Sequence, residues 1–215
     1  YIANYNPERW NPEAGSLESH RDGNGTQPWR RYPTPEELER KYNRYELTES
    51  GVSPMSVPGI PGGEYMAVGI EHEISGNPSS SHHEHQAQSE KRFRKIEGVA
   101  QEYVLFNEAG EPNPRLGILT WGSTFGVCEE IARMLSAAGL PTQVLAPQIL
   151  YPLPYKQIQQ WLDGLDQLVT VETNYGDQFY HYMKAFLELP EKAYHYSRAG
   201  GIPMFLAEVL NFIKY

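Results

Sequence analysis

Apolar positions are most regular between Arg115 and Pro147, where they spell a strand, a helix and a second strand. Leu116–Trp121 is short and near-continuously apolar, the pattern of a parallel strand covered on both faces. Gly122 and Gly126 bracket Ser123-Thr124, which puts a hydroxyl cap ahead of a helix beginning near Phe125. On that helix Glu129, Glu130, Arg133, Ser136 and Ala137 share a polar arc of roughly 120° at about 100° per residue. Val127, Cys128, Ile131, Ala132, Met134, Leu135 and Ala138 take the wide remaining face. Gly139 and Pro141 end the helix, and such a βαβ unit closes right-handedly onto a parallel sheet.

The same reading continues downstream. It predicts a helix over Tyr155–Leu162, a buried strand over Leu165–Glu172 and a helix over Phe179–Leu187. An irregular stretch follows over 190–203, and a terminal helix over Met204–Ile213. Alternating β and α elements with short loops give an α/β fold, a small three-layer sandwich whose mostly parallel sheet carries helices on both faces.

Upstream the pattern is weaker. Thr34-Pro35-Glu36-Glu37 starts a helix predicted to reach Tyr45. Gly51–Gly63, GVSPMSVPGIPGG, forbids regular structure, and nine of the 17 prolines fall in the first 80 residues, which marks connection rather than core. Between Glu84 and Phe106, the residues Phe93, Ile96, Val99, Ala100, Tyr103 and Val104 recur at helical spacing. Lys91, Arg92, Arg94 and Lys95 form a basic face between them, read as a solvated face or as a contact for phosphate or an acidic partner. Asn107–Pro112 is turn-rich, so the division is set there: an extended, partly helical arm over 1–107 and a compact α/β domain over 108–215. Residues 1–33 carry no periodicity, and Asp22-Gly23-Asn24 within them reads as a turn.

Charge and composition narrow the functions. A net charge of -9 argues against nucleic acid or an anionic membrane as partner. One cysteine, Cys128, leaves no internal disulfide and no cysteine-cradled cluster, and its place on the apolar helix face reads as core. No apolar run approaches the roughly 20 residues of a membrane span, and no signal peptide opens the chain, so the expected location is the cytoplasm. The chain opens on Tyr1, without a methionine, and is expected to be the back part of a longer polypeptide. His72, His82, His83 and His85, with Glu71, Glu73 and Glu84, crowd imidazoles and carboxylates into a short span. Their spacing is not that of a helical metal pair, so solvated loop histidines are preferred over a metal hydrolase.

Three phrases then combine: VPGIPGGEYMAVGIEHEISGNPSS with EKRFRKIE; TWGSTFGVCEEIARML followed by TQVLAPQILYPLP; and VTVETNYGDQF with the closing GGIPMFLAEVLNFI. Together, over about 42–215, they resemble the C-terminal part of the alpha subunit of the 2-oxoacid:ferredoxin oxidoreductases, the 2-oxoglutarate type above all. The resemblance implies a transketolase C-terminal-like, flavodoxin-like domain, preceded by the tail of a pyrimidine-binding domain. It also implies membership of an assembly that converts a 2-oxoacid such as 2-oxoglutarate or pyruvate to its acyl-CoA, using thiamine diphosphate, magnesium, an iron–sulfur cluster and CoA. A thiamine-binding beta subunit would be the direct partner, with ferredoxin reached indirectly.

This chain holds no complete binding motif for those groups, so the expected role is to orient the cofactor-binding domains. In the Glu-x-Asn phrase Glu172, Asn174 and Gln178 match the family, while Asp177 stands where a glycine is usual and Gly176 precedes it. Glu172, Asn174 and Gln178 are expected beside Gly122, Ser123 and Thr124, at a domain contact or ligand site. The alternative function is a regulatory or nucleotide- or CoA-binding flavodoxin-like module, with its anion at Gly122–Thr124.

Overall fold

A computed structural model of the chain describes residues 31–102 and 106–214. The chain divides into two compact units, Tyr1–Gly98 and Val99–Tyr215. The predicted turn at Asp22-Gly23-Asn24 and the arm before residue 31 lie outside the described residues.

The N-terminal unit contains helix α1 (Pro35–Glu39), a long irregular segment, and the start of helix α2 (His82–Glu102). Thr34 and Glu37 make the full capping box that the sequence implies. The helix nevertheless stops at Glu39 and does not reach Tyr45, because Arg40 turns extended. Tyr42 is buried, and its hydroxyl ties two strands of loop together, donating to the Pro54 carbonyl at 2.9 Å and accepting from Ser56 N–H at 2.9 Å. Further along, α2 buries Lys91 (5 % exposed) out of the predicted basic face and leaves Phe93 of the predicted apolar stripe 53 % exposed, while Arg92 and Arg94 are exposed as expected.

The reason lies in the backbone beside the helix. Gln88 Nε2 and Lys91 Nζ both donate to the Tyr45 carbonyl, at 2.9 and 3.0 Å, and Lys91 also donates to Ser53 Oγ at 2.9 Å. The Tyr45 carbonyl lies in irregular backbone without a ladder partner, and α2 supplies the missing donors from its side chains. Periodicity cannot register that need.

The C-terminal unit is built on strands β1 (Phe106–Gly110), β2 (Leu116–Thr120), β3 (Thr142–Pro147), β4 (Gln167–Glu172) and β5 (Ala193–Ser197), ordered β1-β3-β2-β4-β5. All pairings are parallel except β1 with β3. Every residue of β2 is buried, since it pairs with β3 on one edge and β4 on the other. Helices α3 (Phe125–Ala137) and α6 (Leu206–Lys214) cover one face, packing Ile131, Leu135 and Val209 on Ile118, Val144 and Val171. Helices α4 (Tyr155–Leu162) and α5 (Gln178–Phe186) cover the other, packing Ile158, Phe179 and Met183 on Leu119, Leu145 and Leu168. Successive β2 residues thus feed opposite cores, as the pleat requires. The result is the flavodoxin-like three-layer sandwich.

Two strands lie where none is predicted. Phe106–Gly110 forms β1 in the supposed linker, and Ala193–Ser197 forms β5 in the supposed irregular stretch. Both are edge strands, half exposed and polar or aromatic, so neither carries the apolar run that marks a central strand. Met134 is 38 % exposed rather than on the covered face of α3.

Gly110 closes β1 at φ +108°, where a Cβ would run into the Thr142 carbonyl of the neighbouring strand. Gly126, on α3, has no atom within 4 Å of a Cβ. Gly110→Ala is therefore expected to cost about 1–3 kcal/mol in urea unfolding. Gly126→Ala should stabilise by about 0.5 kcal/mol.

Candidate functional site

In a sheet of this order β3 and β4 leave β2 on opposite sides, so the topological switch point lies beyond the C-terminal ends of β2 and β4. The loops that end there are Trp121–Thr124 and Thr173–Asp177. Gly122, Ser123, Thr124 and Asn174 lie in these loops, while Glu172 ends β4 and Gln178 opens α5, so the six residues singled out stand at one end of the sheet.

The first loop is a single 3₁₀ turn, Gly122–Thr124, leading into α3. Gly122 sits at φ +64°, which suits glycine. Ser123 is exposed, whereas Thr124 is buried. The predicted hydroxyl cap does not form: Thr124 is helical and its side chain makes no bond to the helix N-terminus. Its Oγ1 instead donates to the Trp121 carbonyl at 2.7 Å and meets Thr120 Oγ1, which in turn donates to the Val171 carbonyl at 2.7 Å. The hydroxyl that sequence assigns to the helix fastens the loop back onto β2 and, through Thr120, onto β4.

The second loop is organised by Glu172, 1 % exposed at the end of β4. Its carboxylate accepts from the Phe179 N–H at 2.8 Å and the Tyr180 N–H at 3.0 Å, two of the unpaired donors in the first turn of α5. Asn174 Nδ2 donates to the same carboxylate, and Asn174 Oδ1 accepts from the Gln178 N–H at 3.3 Å. The Glu-x-Asn phrase is thus a strand-to-helix joint, in which an anion from the preceding strand takes the capping role at the positive helix end.

Asp177, in the place where the family usually has glycine, adopts φ +50° and is the residue preceding α5. Aspartate tolerates this left-handed region better than most residues. Its carboxylate also accepts from Ser197 Oγ and lies 3.3 Å from His195 Nε2, both on β5. Trp121 and Phe179 bring the two loops together with ring centroids 6.2 Å apart. The segments that follow β2, β3 and β4 carry exposed aromatic groups: Trp121, Tyr151, Tyr155 and Tyr175, the last 86 % exposed.

The histidine candidates distribute differently. His72 stacks flat on Tyr45 with centroids 4.0 Å apart, His85 Nδ1 lies 3.1 Å from Glu71, and the rings of His82 and His83 face each other. Among the described residues no three His, Cys, Asp or Glu side chains converge on a common point. Glu71, His72 and His85 instead line a cavity of about 480 Å³ in the N-terminal unit, together with Arg44, Lys91, Arg92 and Lys95. Sequence reasoning had the basic run and the histidines, but Arg44 and Tyr45 carried no periodic or motif signal.

Set against known proteins, residues 115–209 match the family model Pyruvate:ferredoxin oxidoreductase core domain II. That span takes in most of the C-terminal unit. Curated relatives include the 2-oxoacid:ferredoxin oxidoreductase alpha subunit of Saccharolobus solfataricus, 26 % identical over 80 % of this chain and 27 % of the relative. The alpha subunit of 2-oxoacid:ferredoxin oxidoreductase 1 from Sulfurisphaera tokodaii is 31 % identical over 62 % of this chain and 21 % of its own length. Among solved structures, the 2-oxoglutarate:ferredoxin oxidoreductase of Magnetococcus marinus, with 2-oxoglutarate, coenzyme A and succinyl-CoA bound, superposes with a TM-score of 0.72 at 32 % identity. That match covers 86 % of this chain and 32 % of the other, so the chain spans about a third of the solved relative and about a quarter of the curated ones.

Two measurements check the geometry. Glu172→Ala strands two helix N–H groups and is expected to cost about 3 kcal/mol, against about 1–2 kcal/mol for Glu172→Gln, by urea unfolding. Glu71 is held by the Arg92 fork at 3.2 and 2.8 Å, which pulls its carboxyl from an ordinary 4.5 to about 2. A depressed carboxylate stabilises fully above its unfolded value, so that contribution should fade as pH drops from 4.5 towards 2. Glu71→Gln should flatten the unfolding midpoint across that window.

Proposed function

We propose that this chain is the C-terminal part of the alpha subunit of a 2-oxoacid:ferredoxin oxidoreductase acting on 2-oxoglutarate, with succinyl-CoA as product. In this reading residues up to about 107 close a pyrimidine-binding domain and the rest is the transketolase C-terminal-like domain. A location in the cytoplasm is part of the same reading. What carries it is the Magnetococcus marinus match, which holds at 32 % identity across 86 % of the chain rather than over the sandwich alone. The oxidoreductase as a whole would need thiamine diphosphate, magnesium, an iron–sulfur cluster and CoA.

Among the described residues no three His, Cys, Asp or Glu side chains make a site for magnesium or an iron–sulfur cluster. A cluster needs several thiolates. This chain has one, Cys128, buried in the α3 core with its thiol pushed up to about 12 by burial. The magnesium-held diphosphate needs converging carboxylates, and the carboxylates at the switch point are spent on α5 and β5. No catalytic step is assigned to any residue of this chain.

Its part is architectural. The exposed aromatic ring at the C-terminal end of the sheet, Trp121, Tyr155 and Tyr175 among it, has the composition of an interface core. We assign that end to contact with the cofactor-binding domains, including the thiamine-binding beta subunit, with Glu172 and Asp177 holding the loops in shape. Ferredoxin, commonly acidic, would meet another subunit, since this chain is itself strongly negative.

The full reading frame, expressed with its neighbouring subunit genes, should reduce ferredoxin only when 2-oxoglutarate and CoA are both supplied. Loss of dependence on either compound would overturn the assignment. Within that assembly Tyr175→Asp should leave the isolated chain's melting temperature unchanged and weaken co-purification of the beta subunit at least about tenfold. Unchanged co-purification would remove this end of the sheet from the interface.

A further inference from the structure

We propose that the cavity of the N-terminal unit is a binding site for a small phosphate-bearing molecule, its phosphate held by Arg44, Lys91 and Lys95. The chain is strongly acidic overall, yet this cavity is lined by four cationic side chains, Arg44, Lys91, Arg92 and Lys95, and one carboxylate, Glu71. Glu71 is committed: both its oxygens accept from Arg92, and His85 lies 3.1 Å away. Among the described residues, no carboxylate lies within ion-pair distance of Arg44, Lys91 or Lys95.

Lys91 makes the imbalance costly. It is 5 % exposed, and its two acceptors, the Tyr45 carbonyl and Ser53 Oγ, are both neutral. An ammonium buried without a counter-charge is strongly penalised. Burial lowers its pKa to about 8, with Arg44, Arg92 and Lys95 pushing the same way and Glu71 opposing. Beside it, Arg44 stacks its guanidinium over the Tyr45 and Tyr65 rings, 5.1 and 5.6 Å from their centroids, and its Nε is buried without a hydrogen-bond partner. His72 Nδ1, on the same lining, is likewise buried and unpaired. An unmet donor on a buried guanidinium beside a buried ammonium is what an anion relieves.

Size and shape select the anion. About 480 Å³ admits a small organic molecule and is too large for a lone inorganic ion to fill. Three cations whose hydrogen-bond partners are all neutral or absent call for a group of charge near −2, which a phosphate ester carries and a single carboxylate does not. The exposed side chains of Val68 and Ile70, also on the lining, offer apolar contact to the organic remainder. Gly51 keeps the opposite wall against α2: it sits at φ +78°, and a Cβ there would meet the Lys91 carbonyl at 2.5 Å.

The test is calorimetric titration of the full 215-residue chain at low ionic strength with pyrophosphate, inorganic phosphate and succinate. Saturable pyrophosphate binding is expected, tighter than succinate, with proton uptake near pH 8 as Lys91 is recharged. Lys95→Gln, which alters a partly exposed side chain, and Arg44→Gln should each weaken it about tenfold while the chain stays folded. Absence of saturable pyrophosphate binding would overturn the proposal. So would equal affinity in both variants, or preference for succinate.

Discussion

The C-terminal unit depends on the pairing of β2 along both edges. A strand buried at every position has no solvent-facing side, so its register against β3 and β4 decides which side chains enter which core. A slip of one residue would exchange Ile118 and Leu119 between the α3–α6 and α4–α5 layers. Burying each such side chain stabilises by about 2 kcal/mol, more than the roughly 1 kcal/mol net of an ordinary hydrogen bond. Thr120 then adds the directional element that hydrophobic burial lacks, since its hydroxyl reaches across to the Val171 carbonyl and fixes the two strand ends side by side. The switch-point loops inherit their positions from that pair of strand ends.

The N-terminal unit is held together by different means. Its long irregular segment offers few aliphatic groups to bury, and order comes from tyrosines and from side-chain donors that satisfy loop carbonyls. Tyr42 and Tyr45 each meet Tyr65 edge-on, and Lys91 and Gln88 share the Tyr45 carbonyl. Such an arrangement places charge where a hydrophobic core would place leucine, and the same side chains that support the loop also surround the cavity.

What the sequence disclosed follows from which interactions leave a periodic trace. The central strands, α3 and α4 were legible because continuous apolar runs and a 3.6-residue stripe are the direct mark of burial on two faces or one. The edge strands β1 and β5 were not, because an edge needs only half its side chains covered; FNEAG and AYHYS look like loop. The switch-point residues were found as a group through their place after strands and through the family phrase, but their roles were not. Thr124 reads as a cap and acts as a brace, while the cap of α5 comes from Glu172, six residues before the helix begins. Capping by a residue from the preceding strand cannot be read from local spacing. The basic run on α2 was visible as charge, but its division into a buried lysine and an ion-paired arginine is set by contacts with residues up to 46 positions away.

Cys128 has a consequence of another kind. Fully enclosed between α3 and the sheet, and raised to about 12, its thiol is almost wholly protonated at neutral pH and out of reach of alkylating reagents. As the chain's single cysteine it is a built-in stopwatch for the sandwich: it reacts only when the α3 layer lifts away. Its modification rate therefore reads the opening of this layer directly in the isolated chain, without a label being introduced.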